Sequence, residues 1–329
     1  GLLGADLALD PASGRYRFAT IYPGDNTRDD YRSPIAQPGL DVKPGDYLLA
    51  INGAPLRAPT DPDSLLQLTD ADTTVDLTVA AAPNGAGRHV IVKPVAKELP
   101  LREAAWIAHN RALVDKLSGG RVGYVYMSDM EQLGIQQFVR QFYGQLGKQA
   151  MIIDDRWNGG GFIAPFALER LRRVLVTLDA NREGAITTEP EAVLHGPKVM
   201  LMNHWSGSDG DIFPDLFKRY GLGPLVGTRT WGGVRGIRGF WPMMDGGYVT
   251  IPEEAVYTLD SQWAIENRGV EPDVEVENEP ADLLAGHDRQ LETAIAMMVK
   301  AIEGKPAGLP PPPSLLPPYP ANGMVKPQE

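Results

Sequence analysis

The chain has 329 residues, 43% of them hydrophobic and 22% charged, enough for two ordinary domains with well-buried cores. Its formal net charge of -11, with no Lys/Arg cluster beyond short pairs, argues against nucleic acid or an anionic membrane as the main partner, since phosphates call for a basic patch. No apolar run approaches the roughly 18 residues of a membrane span, and the absence of cysteine removes thiol catalysis, disulfides and thiolate metal sites together.

The chain opens on Gly1-Leu2-Leu3-Gly4, with neither an initiator Met nor a signal peptide, and reads as a processed or truncated product. Residues 1–97 form a β-rich module. Leu7-Ala8-Leu9 and Tyr16 to Ile21 alternate as strands around a Pro11-Ala12-Ser13-Gly14 turn. Val42-Lys43-Pro44-Gly45-Asp46-Tyr47-Leu48-Leu49-Ala50-Ile51-Asn52-Gly53 is a turn, a strand and an Asn-Gly turn, and strands are predicted at Thr74 to Ala80 and His89 to Lys93. The Pro-Gly-Asp-x-Leu-Leu-x-Ile-Asn-Gly run resembles PDZ domains of the kind attached to bacterial proteases. The resemblance implies that Gly1, Leu2, Leu3 and Gly4 are a carboxylate-binding loop, whose backbone N–H groups would capture a peptide C-terminus. A module that only braces its neighbour is the competing possibility.

From about residue 98 to 304 helices and strands alternate. A helix is predicted over residues 101–117 and another over Leu133 to Leu146. A third runs from Ile163 to Leu178 and a fourth from Gly210 to Tyr220. Between them lie strands at Val122 to Met127, Gln149 to Asp154 and Val199 to Met202. The alternation predicts an α/β domain with parallel strands. Residues 305–329 are a proline-rich tail expected to be extended.

Two strand-to-helix turns carry candidate chemistry. In Asp154-Asp155-Arg156-Trp157-Asn158-Gly159-Gly160-Gly161-Phe162 three glycines let backbone N–H groups point outward together, as an anion cradle or half of an oxyanion hole. In Asn203-His204-Trp205-Ser206-Gly207-Ser208-Asp209-Gly210-Asp211-Ile212-Phe213 a serine stands exposed at the positive end of a helix, although a plain N-capping serine would have the same pattern. The five histidines (His89, His109, His195, His204, His287) show no metal-binding spacing, and no cofactor or metal is expected.

Taken with Gly227-Thr228-Arg229-Thr230-Trp231-Gly232-Gly233-Val234 and Glu266-Asn267-Arg268-Gly269-Val270-Glu271-Pro272-Asp273, the two turns resemble the tail-processing and tricorn serine proteases. The resemblance implies a crotonase/ClpP-like α/β protease domain behind the PDZ-like one. The lysine base of the tail-processing branch has no counterpart here: Gly233 stands near its place, and Lys218 is the only lysine soon after Ser208. The tricorn branch fits better. It implies Ser208 as nucleophile, the N–H groups of Asp209 and Gly161 as oxyanion hole with Gly160 as the alternative donor, and Glu266 as the acid that steers the base through a serine hydroxyl. It also implies that Asp179 selects basic side chains from a neighbouring subunit, and that the protein is a cytoplasmic homo-oligomer, a hexamer, acting on peptides or unfolded chains.

The base histidine of that family has no match among these five, and is expected on a segment absent from this chain, which alone would then be nearly inactive. A PDZ-containing peptide-binding module without catalysis is the alternative. A crotonase-like acyl-thioester enzyme shares the oxyanion geometry, but the PDZ-like front disfavours it.

Overall fold

The computed structural model describes residues 1–26, 28–67, 72–181 and 183–313, and the tail from 314 lies outside them. The chain separates into two compact units, Gly1–Asn110 and Arg111–Glu329.

In the first unit alternating side chains build one antiparallel sheet. Strands β1 (Ala5–Asp10) and β2 (Arg15–Ile21) pair around the expected turn, and β2 pairs with β3 (Tyr47–Ile51). The short β4 (Ala54–Pro55) folds back on β3, which then pairs with β5 (Val75–Ala80), and β5 with β6 (Arg88–Val92). The order β1-β2-β3-β5-β6 leaves β1 as an edge. Phe18, Leu48, Ile51, Leu77, Val79 and Val90 fill the core on one face. Helix α1 (Leu99–Ser118) then leads into the second unit.

The second unit opens with β7 (Val122–Tyr126), α2 (Gln132–Tyr143), β8 (Ala150–Asp154) and α3 (Ala164–Leu171). A ribbon of β9 (Thr177–Ala180) and β10 (Ile186–Glu189) follows, then β11 (Lys198–Met202), α4 (Asp209–Arg219) and β12 (Leu225–Gly227). A second ribbon, β13 (Gly236–Pro242) with β14 (Tyr248–Glu254), precedes β15 (Val274–Glu275), α5 (Pro280–Leu284) and α6 (Arg289–Ala301). The central sheet has the order β15-β12-β11-β8-β7 and is parallel throughout. Every residue of β7, β8 and β11 is buried, which is why these strands read as unbroken apolar runs: a parallel sheet is covered on both faces. No helix among the described residues is long and apolar enough to cross a membrane.

One predicted helix was too long. Its apolar stripe ends at Leu171, and from Val174 onward β-branched residues take over, with Thr177 and Leu178 already in β9.

Candidate active site

Parallel strands deliver their following loops to one edge of a sheet, and β8, β11 and β12 are neighbours. Three loops therefore meet: 155–163 after β8, 203–208 after β11 and 228–235 after β12. Asn158, fully buried, joins the first two and the end of β7. Its side chain donates to the Met127 carbonyl at 3.1 Å and accepts the Gly160 N–H at 2.9 Å, while its carbonyl accepts the Gly207 N–H at 3.0 Å. The Ser206 hydroxyl donates to the Asp155 carbonyl at 2.8 Å and closes the same joint.

Ser208 occupies the N-cap position of α4, with φ 56° and ψ -120°, a left-handed conformation that side chains rarely adopt. Its hydroxyl makes no capping hydrogen bond, so the capping-serine possibility is excluded by geometry. The Ser208 N–H donates to the Gly233 carbonyl at 3.1 Å, which ties the serine to the third loop.

Gly160 lies directly against it: a Cβ built on Gly160 would stand 2.6 Å from the Ser208 Cβ. Because Asn158 already holds the Gly160 N–H, the alternative oxyanion donor of the sequence reading is not free. Gly161 has φ +145°, and a Cβ there would run into the Met130 carbonyl oxygen. Among the described residues no hydrogen bond engages the Gly161 N–H. The Asp209 N–H, first in α4, has no acceptor within its own helix. Among the described residues neither the Gly161 nor the Asp209 N–H makes a hydrogen bond.

Five carboxylates crowd this edge. Asp154 is neutralised by Arg156 at 2.6 Å and accepts from Tyr124 at 2.8 Å. Asp209 accepts the Ala164 N–H at 2.9 Å, capping α3 with a side chain from α4; burial pushes its carboxyl up to about 6. Asp211 is raised too, by burial, although the Gly232 N–H donates to it at 2.7 Å. Asp155 is raised well above the ordinary carboxylate range, by burial and then by the neighbouring Asp154, Asp211 and Asp209 charges. Glu266 accepts the Val234 N–H at 2.8 Å, one residue past the carbonyl that holds Ser208. Among the described residues no group of three or more His, Asp or Glu is placed to hold a metal.

The remaining candidates are not brought to Ser208. Asp179 is exposed in the β9–β10 ribbon opposite Thr187. Lys218 sits near the far end of α4, about 15 Å along the axis at 1.5 Å per residue, paired with Asp273 at 2.7 Å. The His204 ring packs tilted against Trp205 with ring centroids 4.9 Å apart, and His287 pairs with Glu292 at 3.0 Å. His195 lies before β11, at the other edge of the sheet. Among the described residues no histidine or lysine is hydrogen-bonded to Ser208.

In the first unit Leu2 exchanges backbone hydrogen bonds with Val95, and the Gly4 N–H donates to Glu98 Oε1 at 2.7 Å. Of the donors that a carboxylate-binding loop at residues 1–4 would offer, those of Leu2 and Gly4 are taken by the chain itself. A cavity of about 400 Å³ nevertheless runs along edge strand β1, lined by Leu2, Ala5, Leu7, Tyr16, Pro62 and Arg102.

Sequence reasoning missed Asn158, Asp155 and Asp211 as members of the site. Asn158 adjoins the three glycines and Asp211 follows Ser208 by three, but neither spacing tells what a side chain will meet across the sheet.

Comparison with known proteins matches residues 1–97 to the tricorn protease PDZ domain and residues 121–276 to peptidase family S41. Tricorn protease homolog 1 of Streptomyces coelicolor is 41% identical over 94% of this chain, and tricorn protease of Thermoplasma acidophilum 34% identical over 95%. In both cases the chain spans only 29% of the relative's length. A crystal structure of the tricorn protease superposes with a TM-score of 0.84 at 34% identity, covering 91% of this chain and 29% of the other.

Proposed function

This chain joins a PDZ domain of the tricorn type, residues 1–97, to a peptidase domain of family S41, residues 121–276, and from that premise we propose that it is a serine endopeptidase acting through an acyl-enzyme on Ser208. One observation carries the reading: a serine held in a strained backbone with its hydroxyl uncapped, while the Gly161 and Asp209 N–H groups make no hydrogen bond among the described residues. Attack of Oγ on a peptide carbonyl turns its oxygen into an oxyanion. The Gly161 and Asp209 N–H groups would receive that charge without reorganisation, aided by the N-terminal end of α4. Removing one such donor elsewhere costs about 10²–10³ in rate.

The proton of Ser208 needs an acceptor, and none of the described side chains is hydrogen-bonded to the hydroxyl. We assign the base to a histidine outside these 329 residues, oriented by Glu266 through a further hydroxyl. The substrates would be peptides or unfolded chains, with Asp179 of a neighbouring copy selecting basic side chains. A homo-oligomer, a hexamer by family resemblance, accords with that arrangement and with the exposed Trp241, Met244, Leu259 and Trp263 around the β13–β14 ribbon.

The test is labelling by a fluorophosphonate, with the site mapped by mass spectrometry. Slow labelling at Ser208, accelerated by added imidazole and lost in Ser208→Ala, is the expected result. Labelling that ignores imidazole would refute the external base, and labelling elsewhere would refute the nucleophile. The cavity along β1 favours a second reading, capture of a peptide strand without cleavage. Peptide binding without any Ser208 labelling would select it.

A further inference from the structure

An N-capping serine ordinarily uses its hydroxyl to accept an N–H from the first turn of the helix, and such a cap contributes about 1 kcal/mol. Ser208 has the position but not the bond. The turn is closed differently. The Gly210 N–H donates to the Gly207 carbonyl at 2.8 Å, and the Asp211 and Ile212 N–H groups donate to the Ser208 carbonyl at 2.9 and 3.1 Å, so these three donors are satisfied by backbone.

The Asp211 side chain, three residues into the turn, is fully buried and turns back toward the elbow. It accepts the Gly232 N–H at 2.7 Å, and the Thr230 hydroxyl and the N–H groups of Gly233 and Ser208 also face it. Among the described residues none of these groups is close enough and well enough aligned to hydrogen-bond its second oxygen. A buried, half-satisfied carboxylate destabilises a fold, so its presence calls for a specific reason.

That reason lies in what Asp211 holds. The 230–234 loop is pinned on its far side by Asn267 N–H to the Gly232 carbonyl at 2.7 Å, by Val270 N–H to the Thr230 hydroxyl at 2.8 Å and by Val234 N–H to Glu266. On the near side Asp211 pins it to α4. Between the two, the Gly233 carbonyl fixes the Ser208 N–H.

We propose that Asp211 is a positioning residue, which clamps the 230–234 loop onto the turn of Ser208 and thereby keeps the serine hydroxyl out of the helix cap and aimed at substrate. The proposal rests on Ser208 being the nucleophile. It gives Asp211 no contact with substrate: its carboxylate acts through Gly232 and Gly233.

The experiment measures fluorophosphonate inactivation of this chain at a fixed imidazole concentration, separating the maximal rate from the half-saturating probe concentration. Asp211→Ala is expected to lower the maximal rate about a hundredfold, the scale of a 1 Å misplacement, with half-saturation changed less than about twofold. Asp211→Asn keeps an acceptor for the Gly232 N–H and is expected to restore most of that rate. A loss of stability alone would move the melting temperature, not this split. An alanine variant that labels at the wild-type rate would overturn the proposal, as would an asparagine variant no better than alanine. If the alanine variant does not fold, the asparagine variant decides alone: a rate within about threefold of wild type supports positioning, and a hundredfold loss contradicts it. Absence of wild-type labelling at Ser208 would instead sink the nucleophile reading, and this inference with it.

Discussion

At the scale of single residues, the chemistry rests on which N–H groups are left unused. The glycine run at 159–161 was legible as an oxyanion candidate, yet nothing in three identical residues distinguishes Gly160 from Gly161. Asn158 makes the distinction, by taking the Gly160 N–H into its own side chain. Asp209 is given two jobs: its N–H is the second proposed donor, while its carboxylate caps α3 through Ala164. Burial lifts that carboxyl from 3.8 to about 6, so the folded protein binds a proton there that the unfolded chain has released. Its contribution therefore weakens stability as pH rises through that window, and the penalty is complete above the folded value. Asp209→Asn keeps the acceptor and removes the charge. Denaturant unfolding at several pH values should show the variant gaining on wild type between pH 4 and 6, about the span of the two values. A constant difference across that range would contradict the assignment.

At the scale of elements, β7, β8 and β11 were readable because burial on both faces leaves an unbroken apolar signal. The ribbons were not. Strands β9, β10, β13 and β14 belong to no larger sheet, and β14 is exposed along its whole length, so no periodicity marks it. Helix α3 was overextended because the leucines and valines after Leu171 continue the composition of the helix without its burial. The end of β8 is held by a charge network that composition does not reveal. Arg156, fully buried, bonds both oxygens of Asp154 and reaches Asp288, the N-cap of α6, at 2.8 Å. Removing it leaves Asp154 and part of Asp288 uncompensated beneath the active-site loop. Arg156→Ala should cost about 3–5 kcal/mol in denaturant unfolding, as broken buried pairs do. A loss below about 1 kcal/mol would place the pair in the class of surface bridges.

At the scale of the whole molecule, the order of a β-rich module before an α/β domain was legible from turn chemistry and alternation, and the family comparisons agree with it. What sequence left open was whether four separated motifs converge. All four do: the loops after β8, β11 and β12 meet because those strands are adjacent and parallel, and the fourth motif joins them through Glu266 and the Val234 N–H. The Asp179 ribbon does not join them within one chain, which is why its proposed role needs a second copy. The central claim is the pair of donors around Ser208, and the structure of its phosphonylated adduct tests it most directly. The phosphonyl oxygen is expected at about 2.7–3.1 Å from both the Gly161 and Asp209 nitrogens. An adduct on Ser208 whose oxygen turns to solvent, leaving both N–H groups unused, would contradict it.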